Sequence, residues 1–189
     1  MSEQPQLRPG VFIDRDGTIS EEVGYLNHVS RFRMFPSVPT AIRKLNDSGI
    51  PAIVVTNQSG VGRGYFPESL VQAVRDAMTT QFTAAGARLD AIYYCPHVSS
   101  DLCACRKPSP GMLERASLEH AIDLERSFVV GDRFGDIELG HRVGARSILV
   151  RTGYGEGEIL YHVPKWKVRP DFIADDLAQA TEWILEQLK

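Results

Sequence analysis

Cysteine, tryptophan and long apolar runs are all scarce in this chain. Three cysteines in 189 residues are an odd number with no extracellular spacing pattern, so the fold is not expected to depend on a disulfide framework. The longest apolar run, 50–55 with a proline inside it, falls far short of the roughly 20 residues a membrane-spanning helix needs. The first ten residues hold no apolar signal core, and the expected compartment is the cytoplasm. No block of one charge is present either: 21 Lys and Arg against 24 Asp and Glu leave a net charge of −3 with histidines neutral. Nucleic-acid and membrane-surface partners would call for clustered cations and are not expected.

What is present is an ordinary globular composition, 43% hydrophobic and 24% charged. A chain of this length has a radius of gyration of roughly 16 Å and buries about 70% of its unfolded surface. One domain over 1–189, acting as a monomer, is the expectation.

Strand and helix patterns alternate along the chain. Short apolar runs at 10–14, 50–55, 91–94, 128–130, 147–150 and 172–174 read as strands, several of them apolar on both faces, as in a parallel sheet covered by helices on both sides. Helical spacing is found at 39–46, 67–85, after Pro110, around 137–143 and at 177–188, the last with Asp175 as a candidate N-cap. The stretch 153–170 lacks periodicity and reads as a long loop with no assigned role. Trp166 and Trp183 are expected to pack the last strand and helix on the sheet. The pattern predicts an α/β, doubly wound parallel sheet of Rossmann-like type, whose ligands bind at the carboxyl ends of the strands. The 41 residues between Asp14 and Thr56, and the 50 between Thr56 and Lys107, leave no room for a large cap domain.

Four strand ends carry reactive groups. Asp14 and Asp16 follow the first strand, two carboxylates that could act as nucleophile and general acid while a metal ion relieves their repulsion. Thr56-Asn57-Gln58-Ser59-Gly60 follows the second, a hydroxyl and a turn whose N–H groups could hold an anion, which makes Asn57, Gln58 and Ser59 candidates for substrate binding. Lys107 precedes Pro108-Ser109-Pro110 and a helix start. Gly131-Asp132-Arg133-Phe134-Gly135-Asp136 follows a further strand. Each alone could be a turn or a helix cap; their order and placement together point to phosphoryl chemistry, which needs an in-line nucleophile and a cage of cations and donors. An oxygen-only site of this kind suits Mg²⁺. Arg63, Arg106 and Arg133 lie on the same predicted face, and their planar forks suit a second phosphate. His28, His120, His141 and His162 read as surface or packing residues.

The three cysteines fall together. Cys95, His97, Cys103 and Cys105 supply three thiolates and an imidazole, the ligand set of a closed tetrahedral zinc site. Such a site is structural, and here it would staple the loop that ends in Arg106 and Lys107.

Asp14-x-Asp16-Gly17-Thr18, Thr56, Lys107 and Gly131-Asp132-x-x-x-Asp136 resemble the four motifs of the haloacid dehalogenase-like phosphatases, over roughly 11–150. The resemblance implies that Asp14 attacks phosphorus to give an aspartyl-phosphate and that Asp16 protonates the leaving oxygen and then activates water. It implies Mg²⁺ on the carboxylates of Asp14 and Asp132 and the backbone carbonyl of Asp16, phosphoryl oxygens on Thr56 and Lys107, and Asp136 holding the lysine. The zinc loop running into Arg106-Lys107-Pro108-Ser109-Pro110-Gly111-Met112, with the segment 56–66, looks like the D-glycero-D-manno-heptose 1,7-bisphosphate phosphatases and the related histidinol-phosphate phosphatases. In the heptose branch substrate recognition carries onto Arg106, onto Glu22, Val23, Gly24 and Tyr25, and onto Arg133. Two departures touch substrate choice: only five residues separate His97 from Cys103, and Glu22 stands where an aspartate is usual. A small phosphorylated metabolite is the expected partner, with the heptose bisphosphate of lipopolysaccharide precursor synthesis first. Histidinol phosphate is the alternative within enzymes, and a non-catalytic zinc-stapled binding module the alternative outside them.

Overall fold

Residues 6–189 are described by a computed structural model. Strands β1 (Val11–Ile13), β2 (Ala52–Asn57) and β4 (Phe128–Gly131) are almost wholly buried, as β-branched and aromatic residues on a two-sided parallel sheet must be. With β3 (Ala91–Cys95), β5 (Arg146–Val150) and β6 (Phe172–Ala174) they form six parallel strands in the order β3-β2-β1-β4-β5-β6. Ile13 pairs with Val54 on one side and Val130 on the other. Asp14 and Asp132 therefore leave the sheet side by side at the crossover between its two halves, where a doubly wound fold binds its ligands.

Alternation along the strands builds two cores. Val11, Ile13, Val54, Val130 and Ile148 face α1 (Val38–Asp47), α3 (Glu68–Ala84) and α7 (Leu177–Gln187). Phe12, Ile53, Val55 and Val129 face α4 (Gly111–His120) and α5 (Phe134–Arg142). A short helix, α2 (Ser59–Gly62), turns directly off β2. Among the described residues, 15–55 hold turns, α1 and most of β2, and 57–106 hold α2, α3, β3 and the cysteine loop, so no cap domain is inserted.

Three expectations need correction. The stretch 153–170 contains α6 (Gly155–Tyr161) and a 3-10 turn at Val163–Lys165. Alternating Gly and Glu hide this helix from periodicity; Gly155 is its one buried residue, and a Cβ there would lie 1.7 Å from the carbonyl oxygen of Val150. Asp176, not Asp175, caps α7: its carboxylate accepts the Gln179 N–H at 3.0 Å. Trp183 stacks on Phe172 as expected, with centroids 5.1 Å apart, but Trp166 packs 4.9 Å from Phe134 at the start of α5. The unassigned histidines are local: His28 accepts the Ser30 N–H, His120 meets the Tyr93 hydroxyl, His162 pairs with Glu158, and His141 is exposed on α5.

Candidate active site

Three carboxylates and one ammonium are buried where β1 and β4 end. Lys107 Nζ sits 2.8 Å from Asp14 Oδ1 and 2.7 Å from Asp136 Oδ1. Asp132 Oδ2 accepts the Tyr154 N–H at 2.8 Å, while its Oδ1 is buried with no partner. Oxygens of Asp14, Asp132 and Asp136 lie within 4.8 Å of one another. One lysine cannot neutralise three such groups. Burial first, then the carboxylates of Asp136 and Asp16, push Asp14 up to about 7 against the pull of Lys107. Burial, then Asp14 and Asp136, push Asp132 up to about 8. Burial alone would lower Lys107, but Asp136 and Asp14 outweigh it and hold the ammonium above its ordinary value.

The orphaned Asp132 oxygen and the surplus of negative charge fit a hard divalent cation with oxygen ligands. Asp14 and Asp132 are the carboxylates that could hold it: Asp14 engages only Oδ1, with Lys107 and the Arg15 N–H, whereas Asp136 engages both oxygens, Oδ1 with Lys107 and Oδ2 with the Arg133 N–H at 3.3 Å. Backbone conformation makes room for Asp132. Gly17 and Gly153 both have positive φ, and a Cβ on either would lie 2.0 or 2.2 Å from Asp132 Oδ2. The Thr152 hydroxyl ties the two turns together by donating to the Gly17 carbonyl at 2.6 Å.

Asp16 stands just outside this group. Arg15, a residue only 4% exposed, forks its guanidinium onto this carboxylate at 2.8–3.0 Å, and Gln58 Nε2 donates to Asp16 Oδ2 and to Thr56 Oγ1 at 2.9 and 2.8 Å. Asn57 clamps the Lys107 backbone from both sides, donating to its carbonyl at 3.2 Å and accepting its N–H at 3.0 Å. The side chains of Asn57 and Gln58 are thus engaged in holding Lys107, Thr56 and Asp16 in place. The Gln58 N–H donates to the Cys95 carbonyl, so that member of the expected anion-holding turn is occupied.

These groups floor an open cleft of about 450 Å³. Of the residues singled out from sequence for the phosphoryl and substrate sites, Glu22, Gly24, Tyr25, Ser59, Arg63, Arg106 and Arg133 also line it. Val23 does not; its side chain packs on the core. The Glu22 carboxylate accepts the Gly24 N–H at 2.6 Å and is pushed upward by burial. Tyr25 meets Tyr65 edge to face with centroids 4.8 Å apart. Arg106 donates to the His97 carbonyl at 3.0 Å. The Arg133 guanidinium lies 3.7 Å over the Tyr154 ring. Phe66, from the segment 56–66, lines the cleft as well, as do Leu26 and Tyr154, which carry no signal among the motifs above. Tyr154 belongs to a fifth strand-end loop, after β5, and the Arg-Thr-Gly-Tyr-Gly run at 151–155 was the signal that could have revealed it.

The cysteine loop abuts the cleft. Cys95, His97, Cys103 and Cys105 offer ligand atoms within 4.8 Å of one another, among them Cys95 and Cys103 sulfurs at 3.6 Å and His97 Nδ1 to Cys105 Sγ at 3.2 Å. A tetrahedral ion with ~2.3 Å bonds sets sulfurs about 3.8 Å apart; Cys103 lies 3.6 and 3.5 Å from Cys95 and Cys105, and the Cys95–Cys105 pair, at 2.9 Å, would have to spread to admit the ion.

A family model described as HAD-hydrolase-like matches residues 104–180. The D-glycero-D-manno-heptose-1,7-bisphosphate 7-phosphatase of Thermosynechococcus vestitus is 40% identical over 192 residues, covering 96% of this chain and 97% of that one. The D-glycero-beta-D-manno-heptose-1,7-bisphosphate 7-phosphatase of Escherichia coli K12 is 35% identical, with 96% of each chain covered. The crystal structure of D,D-heptose 1,7-bisphosphate phosphatase from B. bronchiseptica, in complex with magnesium and phosphate, superposes with a TM-score of 0.87 at 30% identity, covering 95% of this chain and 99% of that one. The fold and its strand-end carboxylates are those of a haloacid dehalogenase-like hydrolase. Within that class the chain belongs to the D-glycero-D-manno-heptose-1,7-bisphosphate 7-phosphatase family.

Proposed function

We propose that the chain is a one-domain phosphatase that hydrolyses the 7-phosphate of D-glycero-D-manno-heptose 1,7-bisphosphate and releases the 1-phosphate. The observation that carries this reading is that Arg63, Arg106 and Arg133 line the same cleft as the Asp14–Lys107 pair. A substrate with two phosphates satisfies both ends of such a cleft. Histidinol phosphate would bring an ammonium towards the arginines and is disfavoured by charge. The catalytic groups also argue against a bare binding module, since a binding role gives no reason to hold buried carboxylates against one another.

Asp14 and Asp132, with the Asp16 carbonyl, would hold Mg²⁺, which when bound neutralises the carboxylates and the phosphoryl oxygens. Asp14 attacks phosphorus in line. Lys107 and the Thr56 hydroxyl bind phosphoryl oxygens, and Asp136 and Asn57 keep the lysine aimed at them. Asp16 protonates the departing sugar oxygen, then takes a proton from the water that cleaves the aspartyl-phosphate. Cys95, His97, Cys103 and Cys105 would hold a structural zinc ion whose loop carries Arg106. Among the described residues no helix is long and apolar enough to cross a membrane; the cytoplasm and a monomeric state remain part of this reading.

The test is phosphate release from a set of phosphorylated metabolites with Mg²⁺, using Asp14→Asn as control. Heptose bisphosphate should be preferred over sugar monophosphates and histidinol phosphate by about a hundredfold in kcat/KM, as one extra bidentate charge contact allows. Equal or faster turnover of histidinol phosphate would overturn the substrate assignment. Unchanged turnover by Asp14→Asn would overturn the chemistry.

A further inference from the structure

Of the arginines on the cleft, Arg106 and Arg133 are held in different ways. Arg106 has one guanidinium nitrogen tied to the His97 carbonyl. Arg133, the residue before α5, makes no side-chain ion pair or hydrogen bond among the described residues, and its guanidinium carbon sits over Tyr154, 3.7 Å from the ring centroid. Arg15 offers the contrast: its charge is taken up by the carboxylate of Asp16.

That difference matters chemically. A carboxylate partner would fix a guanidinium but would also cancel its charge and compete with an incoming anion. An aromatic face fixes the plane, adds a modest attraction, and leaves the N–H edge and the full charge available. Free arginine side chains carry about 2 kcal/mol of rotamer entropy, part of which binding must remove. A ring beneath the guanidinium removes some of it in advance.

Tyr154 is itself held firmly for a residue 43% exposed. Its peptide N–H donates to Asp132 Oδ2, Gly153 before it packs against Gly17, and Gly155 after it starts α6 against Val150. The ring therefore stands on the same rigid turn that supports Asp132. Replacing the side chain leaves that peptide N–H in place, so the ring can be tested apart from the carboxylate.

We propose that Tyr154 is a positioning residue for substrate selectivity, a neutral platform that presents the Arg133 guanidinium edge-on to a second anionic group of the substrate, the distal phosphate of a sugar bisphosphate. The assignment rests on the bisphosphate reading above and deepens it, placing one selectivity determinant on the loop after β5 as well as on Arg106 and the turn at 22–25.

The experiment compares wild type, Tyr154→Ala, Tyr154→Leu, Tyr154→Phe, Arg133→Ala and the Tyr154→Ala/Arg133→Ala double variant. The readout is the ratio of kcat/KM for heptose bisphosphate to that for a sugar monophosphate, with thermal unfolding of each variant. Tyr154→Ala and Tyr154→Leu should lower the ratio about fivefold through KM for the bisphosphate, the scale of a half-exposed cation–π contact. Tyr154→Phe should restore it, and the double variant should be no worse than Arg133→Ala alone. A ratio lowered by Arg133→Ala but untouched by both Tyr154→Ala and Tyr154→Leu overturns the platform while leaving the bisphosphate reading intact. Full additivity of the two losses also overturns it. If neither Arg133→Ala nor Arg106→Ala changes the ratio, the distal-phosphate reading itself has failed.

Discussion

The guanidinium of Arg15 closes on the carboxylate of Asp16 through three hydrogen bonds of 2.8–3.0 Å, with Arg15 buried and Asp16 at the edge of the cleft. The turn after β1 permits it, because the Arg15 carbonyl takes the N–H groups of Ile19 and Ser20 and the chain curls around the side chain. Arg15→Met should cost about 2 kcal/mol, since Gln58 still bonds Asp16 while one arm of a charged pair is lost. For a chain of this size the unfolding midpoint should drop by roughly 4–8 °C. Turnover of mono- and bisphosphates should fall by the same factor, because both need Asp16; a change in selectivity between them would refute this account.

Lys107 supports the buried carboxylates as well as any substrate. Its ammonium is bonded to both Asp14 and Asp136, so Lys107→Met should leave two buried acids without their charged partner and cost about 3–5 kcal/mol. Calorimetry should show that loss in chelator. A smaller loss in Mg²⁺ is expected, since a cation on Asp14 offsets part of the missing charge.

The pH dependence of stability follows from the raised acids. Asp14 and Asp132 keep their protons up to about 7 and about 8, whereas both ionise near 3.8 in an unfolded chain. Between those values the unfolded chain binds fewer protons than the folded one, so stability without a cation declines as pH rises from about 4 to about 8. A cation binds the ionised carboxylates, and its stabilisation grows over the upper part of that window. Melting curves in chelator and in Mg²⁺ should diverge as pH increases; a gap that stays constant would contradict the assignment of the ion to these two residues.

Metal at the cysteine loop is expected to reach the cleft through Arg106. Cys105→Ser should abolish the binding of one zinc ion per chain, measured by elemental analysis. It should also raise KM for the bisphosphate more than it lowers kcat, because the His97 carbonyl that holds Arg106 belongs to the same loop. Equal losses on mono- and bisphosphates would show that the loop serves folding alone.

The candidate site floor was readable because its groups sit at the ends of apolar strands: Asp14 after Ile13, Thr56 near the end of β2, Asp132 after Gly131. Strand period and strand end were both visible, and so was the Cys/His cluster from 95 to 105. The loop after β5 was not. Thr152, Gly153 and Tyr154 act through a hydroxyl on a distant carbonyl, a close backbone approach and a peptide N–H, none of which has a side-chain signature at helix or strand spacing. The helix α6 that follows draws on its packing against β5 and shows too little amphipathic pattern to be recognised. Asn57 and Gln58 were found, but their amides face Lys107, Thr56 and Asp16, a distinction only tertiary structure makes.

Gly17 and Gly153 have one further consequence. A side chain at position 17 would meet the Cα of Gly153 at 3.1 Å, and one at position 153 would meet the Cα of Gly17 at 2.5 Å, with an Asp132 oxygen nearer still in both cases. Neither position can be rescued by trimming its neighbour, because no smaller residue exists. The two codons therefore form a mutational dead end, which drift can cross only by rebuilding the turn that cradles Asp132.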